Sequence, residues 1–248
     1  MRTGTFARGC RVLALTAALA GIAGADPAGG ADDLKTAVRK LSEAASYTWT
    51  VESSATGDTA EKYAAGPLDG KTEKGGLTWI RTRETPPIEV ALKAQKMVVR
   101  LDEGWALEQD LALGARLRPH ANLTLIRSLK THPRPAAQAA LLLKHAKDVK
   151  EGTPGYFTAT LEEAGVKELL RQSIRMGRNP EISPRDGTVA FTTRDGVVVR
   201  YEYSLHGDVS YPAPAASTWT ADLRATVDIK EIGTTSVELP EDARKKLE

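Results

Sequence analysis

The sequence predicts an α+β fold in which short helices cover an antiparallel sheet. Two blocks of the chain alternate apolar with polar residues, which is the period of strands buried on one face. Helical patterns stand before and between these blocks instead of alternating with single strands, and this segregation favours α+β over parallel α/β folds. Glycine- and proline-rich turns separate the strands, as in antiparallel meanders.

The first 25 residues have the features of a secretory signal peptide. Arg2, Arg8 and Arg11 make the N-terminus positive. The apolar run that follows is about a dozen residues long, whereas a membrane span needs about 20. Small residues at 23–25 fit the cleavage rule, so we predict a signal peptide at 1–25 and one mature domain at 26–248. We therefore expect a periplasmic or secreted protein with no membrane span after cleavage.

Cleavage also changes the charge and the cysteine content. The full chain has 34 Lys and Arg against 32 Asp and Glu, and losing the three signal arginines leaves a net charge of −1. Mixed charges near neutrality argue against a nucleic-acid partner. The one cysteine, Cys10, lies in the signal, so the mature domain is expected to use neither disulfides nor thiol chemistry.

A helix and a block of strands open the mature chain. Residues 34–45 carry an apolar stripe at helical spacing, and such a stripe must pack against another element. The segments that follow have a period of two and contain Trp49, Trp79 and Trp105, which we expect on the apolar side of the sheet.

The middle of the chain predicts two short helices before the strands return. One helix carries Ile126 and Leu129, the other carries Leu142, and two prolines separate them. A third helix near Leu161 precedes a hairpin that turns at 195–196. Its second strand is expected to present Val199, Tyr201 and Tyr203 on one face, and a last strand and a charged tail complete the chain.

No recognisable catalytic or metal-binding motif is present in the sequence. The segment "GKTEKGG" lies between predicted strands, whereas a phosphate-binding loop would open a helix. The histidines lack zinc-ligand spacing; they are His120, His132, His145 and His206. We therefore predict a protein that is not an enzyme and that uses no cofactor and no metal.

The remaining signal is apolar surface, which short helices of modest hydrophobicity would have to cover. Close cover would make the apolar side chains ordinary core, and loose cover would leave a cavity for an acyl chain. Each CH₂ buried there would contribute about 0.8 kcal/mol. The candidate ligand-binding residues of such a cavity are Trp49, Trp79, Val90, Leu92, Val99, Trp105, Ile126, Leu129, Leu142, Val199, Tyr201 and Tyr203.

The region "GKTEKGGLTWIRTRETPPIEVALKAQKMVVRLDEGWALEQDL" resembles the strand region of the periplasmic lipoprotein localisation factor LolA and its relatives. The striped helix, the glycine-rich segment before a tryptophan strand, the Asp-Gly turn before a second one and the two mid-chain helices follow the same order. Residues 155–240 are also similar to the mycobacterial lipid-carrier lipoproteins. The resemblance implies a strongly curved antiparallel sheet, an incomplete barrel, covered by an N-terminal helix and short lid helices.

One position departs from the LolA pattern. An arginine directly precedes the strand tryptophan in that family and bonds to the lid, whereas this chain has Thr78. A threonine cannot make the forked, charged bonds of an arginine. The chain also has no cysteine after the apolar run, unlike the mycobacterial lipoproteins, so the cleaved protein is expected to carry no lipid anchor.

These observations support three hypotheses. The first is an exported carrier that binds a lipid or an acylated protein in an apolar cavity. The second is an envelope partner-binding or sensor protein on the same fold, which would use the exposed side of the sheet or the loop at 211–217. The third is an enzyme, which would need a cleft that brings together groups such as His132, Asp110 or Glu108.

Overall fold

The computed structural model describes residues 27–56, 66–113, 123–173, 180–211 and 217–248. The signal peptide at 1–25 falls outside these residues and stays a prediction. His120 and the loop residues 212–216 also fall outside them. In the described part of the chain, no helix has the length and apolar character needed to cross a membrane.

Eleven strands of the described residues form one antiparallel sheet. They are β1 (Tyr47–Thr56), β2 (Leu68–Thr72), β3 (Thr78–Thr82), β4 (Glu89–Lys93), β5 (Lys96–Leu101), β6 (Gly104–Leu107), β7 (Ala146–Glu151), β8 (Tyr156–Leu161), β9 (Glu181–Arg194), β10 (Val197–Tyr211) and β11 (Ser217–Lys230). Two meanders, β1 to β6 and β7 to β11, are joined where β1 pairs with β11. Strands β6 and β7 form the two edges, so the sheet is open.

Helices of the described residues cover this sheet. They are α1 (Pro27–Glu43), α2 (Glu108–Leu113), α3 (Leu123–Thr131), α4 (Pro135–Lys144), α5 (Glu163–Ser173) and α6 (Glu241–Leu247). Apolar residues of α1, α3, α4 and α5 share one cluster with the sheet, and we call the face they cover the inner face. The α+β class and the helix-covered antiparallel sheet are confirmed.

Local sequence explains the helix boundaries and the long hairpin. Pro135 occupies the first turn of α4, where its missing N–H is not needed, and Arg134 precedes it with an extended backbone. Asp195 and Gly196 have φ values of 54° and 70° between β9 and β10. Two consecutive residues with positive φ form the tight turn that suits the twist of an antiparallel hairpin.

The outer face of β3 to β6 is not left to solvent, which differs from the expected one-sided sheet. Val237 and the α6 residues Ala243 and Leu247 pack with Ala91 and Val98 in a second buried cluster. The charged tail conceals this role because Ala243 and Leu247 are four residues apart among charged residues, on one face of a short helix. Strands β4 and β5 are therefore buried on both faces.

Candidate functional site

The inner face gathers most of the residues predicted to line a cavity. One buried cluster contains Trp49, Val90, Leu92, Val99, Ile126, Leu129, Leu142, Tyr201 and Tyr203. These side chains come from both meanders and from α3 and α4, so residues far apart in the chain meet under the helices. These nine residues therefore share one buried layer, and their role in ligand binding stays a prediction.

In this structure the protein's own side chains fill most of the space between sheet and helices. Trp49, Phe191 and Tyr201 are among the largest fully buried side chains. A narrow cleft of about 50 Å³ remains between the α3–α4 linker, the end of α5 and strands β1, β10 and β11. Pockets that hold organic ligands have about 300–1,000 Å³. In this structure the cleft is therefore too small to hold an acyl chain.

Apolar and polar residues share the wall of this cleft. Val51, Leu169 and Leu223 supply apolar surface. Gln138 and Ser173 supply polar groups. The wall therefore offers both apolar contact and hydrogen-bonding groups.

A buried hydrogen-bond chain joins α4 to β10 beside the cleft. The hydroxyl of Tyr201 donates to Gln138 Oε1 at 2.8 Å, and Gln138 Nε2 donates to the hydroxyl of Tyr203 at 3.0 Å. Burial raises the pKa of Tyr201 well above its usual value and that of Tyr203 to about 12, so both phenols stay protonated at neutral pH. A satisfied polar chain of this kind fixes the position of α4 over the sheet.

The linker between α3 and α4 is tied to the sheet at two further points. Arg134 Nη2 donates to the carbonyl of Gly76 at 2.9 Å, which joins the start of α4 to the β2–β3 turn. The ring of His132 stacks on Trp49, with centroids 6.1 Å apart and 20° between the planes. Trp49 Nε1 in turn donates to Thr72 Oγ1 at 3.3 Å. The two helices are thus held as a unit against β1, β2 and β10.

These contacts bear on the departure at Thr78. Thr78 lies on the inner face with 2% exposure, and its hydroxyl has no hydrogen-bond partner in the described residues. In this chain it is Arg134 of the helix linker that donates to the sheet, through the carbonyl of Gly76. Sequence analysis missed this residue because an exposed arginine after a proline carries no periodic signal.

Comparison with known proteins concerns the fold. No protein-family model matches the sequence, and no curated protein matches it. The chain is similar to mycobacterial lipoproteins. One is the lipoprotein LppX of Mycobacterium tuberculosis, at 12% identity and a TM-score of 0.47, over 85% of this chain and 98% of that chain.

Two further solved structures are similar to the chain. LprF from Mycobacterium bovis has 10% identity and a TM-score of 0.47, over 88% of this chain and 99% of that one. A DUF1329 family protein from Desulfovibrio piger has 10% identity and a TM-score of 0.30, over 88% and 96%. The two mycobacterial names agree with the resemblance described from the sequence.

Three predicted lining residues lie away from the inner cluster. Trp79 and Trp105 pack half-buried against the second cluster, on the outer face. Along β3 the inner residues are Thr78, Ile80 and Thr82, so the alternation has the opposite phase to the one expected. The reason is that the C-terminal segment buries apolar side chains on the outer face as well. Hydrophobicity alone therefore cannot tell which residues of β3 lie on the inner face.

Val199 is displaced by an irregularity in the hairpin. The pairing of β9 with β10 shifts register between Val198 and Arg200. Such a bulge reverses the alternation of side chains. Val198 is accordingly buried in the inner cluster, while Val199 is half exposed and lies outside it.

The groups named for an enzyme are engaged elsewhere. Glu108 bridges α2 to α3 by ion pairs with Lys130 at 2.9 Å and Arg127 at 3.5 Å. His132 is stacked on Trp49, and Asp110 is exposed on α2. Within the described ranges, no three His, Cys, Asp or Glu side chains are grouped so as to hold a metal ion.

Proposed function

We propose that this protein is an exported carrier that binds a lipid or an acylated group between the inner face of the sheet and the helices α3, α4 and α5. The observation that carries the proposal is the cleft, because it leads from solvent to a continuous apolar layer and has polar side chains at its mouth. An acyl chain would enter there, with its polar end left near Gln138 and Ser173. The predicted signal peptide supports action in the periplasm or outside the cell.

Uptake would require the α3–α4 unit to move outward, since the cleft holds only about 50 Å³. The contacts that oppose this movement are the Gln138 chain, the Arg134 bond, the His132 stack and the buried apolar side chains that α3 and α4 place on the sheet. Hydrogen bonds of this kind contribute about 0.5–1.5 kcal/mol each. A chain of about 14 carbons gains on the order of 10 kcal/mol by burial before the costs of binding, and its own apolar surface would replace contacts that α3 and α4 give up on the sheet.

The direct test is native mass spectrometry of the protein purified after export, with organic extraction of the same sample. The proposal expects co-purified acyl species that dissociate on extraction. A stoichiometric protein partner with no lipid would favour the partner-binding or sensor function instead. A protein that carries neither and takes up no added fatty acid contradicts the carrier function.

A variant that blocks the cleft sharpens this test. Ser173 lines the cleft at the end of α5, while Arg171 is an exposed neighbour outside it. We expect Ser173→Trp to abolish saturable binding of a dansyl-labelled fatty acid. The control Arg171→Trp should bind as the wild type does. Equal binding by both variants would exclude entry through this cleft.

A further inference from the structure

The outer face carries a larger groove that the carrier function does not use. It has a volume of about 600 Å³ and lies between the outer side of β2 to β6 and the segment leading into α6. This volume is within the range of pockets that hold organic ligands. Its lining includes Trp79 and Trp105, the two tryptophans absent from the inner cluster.

The two tryptophans of the groove come from strands that are not neighbours in the sheet. Trp79 is on β3 and Trp105 is on β6, so three steps between neighbouring strands separate them. At about 4.8 Å a step, their backbone positions are about 14 Å apart across the strands. Both indoles are packed in part against the second cluster, which fixes their orientation. A ligand that contacts both must be elongated.

The polar groups between the indoles include donors and acceptors of hydrogen bonds. Lys71 and Arg100 line the floor, with Arg100 Nη1 bonded to Glu89 at 3.0 Å. Glu238 and Asp242 line the wall, and neither makes an ion pair with any residue that the structure describes. Four carboxylates and two cations line the groove, so its negative balance disfavours an anionic ligand, and a ligand that uses both the acceptors and the donors must itself both donate and accept hydrogen bonds. So many charges also disfavour an acyl chain.

We propose that this groove binds an oligosaccharide long enough to reach both indoles. Sugar rings present an apolar face of C–H groups, which suits the flat indole, and an edge of hydroxyls. Each hydroxyl both donates and accepts, so it matches carboxylate acceptors and cationic donors in the same groove. This proposal is independent of the carrier function, because the groove and the cleft lie on opposite faces of the sheet.

The test uses isothermal titration calorimetry and tryptophan fluorescence on the purified protein, with chitohexaose, cellohexaose and maltohexaose as probes. We expect saturable binding of at least one hexasaccharide, and binding of its monosaccharide weaker by about tenfold or more. The double variant Glu238→Gln/Asp242→Asn should weaken that binding by about tenfold without disturbing the packed cluster. Trp105→Ala should weaken it to a similar extent.

Two controls separate the groove from the rest of the surface. Glu241→Gln changes a carboxylate of the same helix that pairs with Lys245 and does not line the groove. Trp219→Ala removes a tryptophan of β11 that packs against the inner cluster. Both controls should bind the hexasaccharide as the wild type does. Absence of saturable binding to all three probes, or equal loss in controls and groove variants, overturns the proposal.

Discussion

The indole of Trp49 lies directly over Gly70 on the neighbouring strand. A Cβ atom at position 70 would stand 2.1 Å from the ring, which no packed structure tolerates. The two residues are paired in register between β1 and β2, so the glycine provides the room in which the largest buried side chain sits. We expect Gly70→Ala to lower the free energy of unfolding by about 1–3 kcal/mol through overpacking.

Urea denaturation of Gly70→Ala measures this effect. Gly152→Ala is the matched control, because a Cβ there would meet its nearest neighbour at an ordinary 3.8 Å. The control should unfold within about 0.5 kcal/mol of the wild type. Similar stability of the two variants would show that Trp49 can leave its position over the glycine.

Trp49 and Trp105 should respond differently to truncation. Trp49 is 2% exposed in the inner cluster, so Trp49→Ala is expected to lower the free energy of unfolding by about 3–5 kcal/mol. Trp105 is half-buried on the outer face, and Trp105→Ala should cost less and leave fatty-acid uptake unchanged. Denaturation and the dansyl fatty-acid titration measure both properties. Loss of fatty-acid uptake in Trp105→Ala would indicate that the lipid binds on the outer face, and it would contradict a site on the inner face.

Removing Gln138 from the polar chain should show what its hydrogen bonds to two buried hydroxyls contribute to the free energy of unfolding. Gln138→Leu leaves Tyr203 without this donor and Tyr201 without its shorter bond, so the free energy of unfolding should fall by about 1–3 kcal/mol. Adding Tyr203→Phe to that variant should cost less than the sum of the two single changes, because the hydroxyl that lost its donor is gone. Ala137→Leu, on the exposed side of α4, serves as the control. Additive losses of unfolding free energy would mean that Gln138 and Tyr203 are not energetically coupled.

The same variant tests whether α4 moves during uptake. If the polar chain holds the helices closed, Gln138→Leu should bind a dansyl-labelled fatty acid faster than the wild type in a stopped-flow measurement. Unchanged association rates would indicate that entry does not require α4 to leave the sheet.

His206 gives the stability a dependence on pH. Its ring lies between Asp186 of β9 and Asp222 of β11, and the hydrogen bond with Asp186 is the main cause of a pKa raised above 6.5. Arg224 lies beside Asp222 and pairs with it at 3.8 Å. A raised pKa in the folded state means that the stabilisation is complete below the unfolded value and is lost as pH rises through the folded value.

Denaturation from about pH 5.5 to pH 9 measures this dependence. The wild type should lose stability across the upper part of that range relative to His206→Gln, in which the group is absent. Asp186→Asn should reduce the difference because it removes the main cause of the raised pKa. Parallel curves for wild type and His206→Gln would contradict the assignment.

Sequence periodicity predicted the elements that have a single apolar side. The stripe from Leu34 to Leu41 predicts α1, and the spacing of Ile126 and Leu129 predicts α3. Periodicity failed for Trp79, because the C-terminal segment packs on the outer face of β3 to β6. Both faces of the sheet therefore carry buried apolar residues in this region. Periodicity also failed at Val199, since a bulge is not visible in a pattern of hydrophobicity.

The candidate site likewise has residues that the sequence predicted and contacts that it did not. Apolar members of the inner layer were predictable because burial selects their residue types. The contacts that hold the helices were not, since Gln138 and Arg134 act through single hydrogen bonds whose partners are more than 50 positions away in the chain. Periodicity also left open whether the helices cover this layer closely or loosely, and among the described residues the space narrows to a cleft of about 50 Å³.

The pairing of β1 with β11 sets the order in which the sheet can be completed. Thr48 lies opposite Lys230, 182 positions further along the chain, so the seam between the meanders cannot close until nearly all of the polypeptide is present. Contacts of such high sequence separation slow folding. A newly made chain would therefore stay unfolded for longer, and such a delay would suit the export that we propose, in which the polypeptide crosses a translocation channel before it folds.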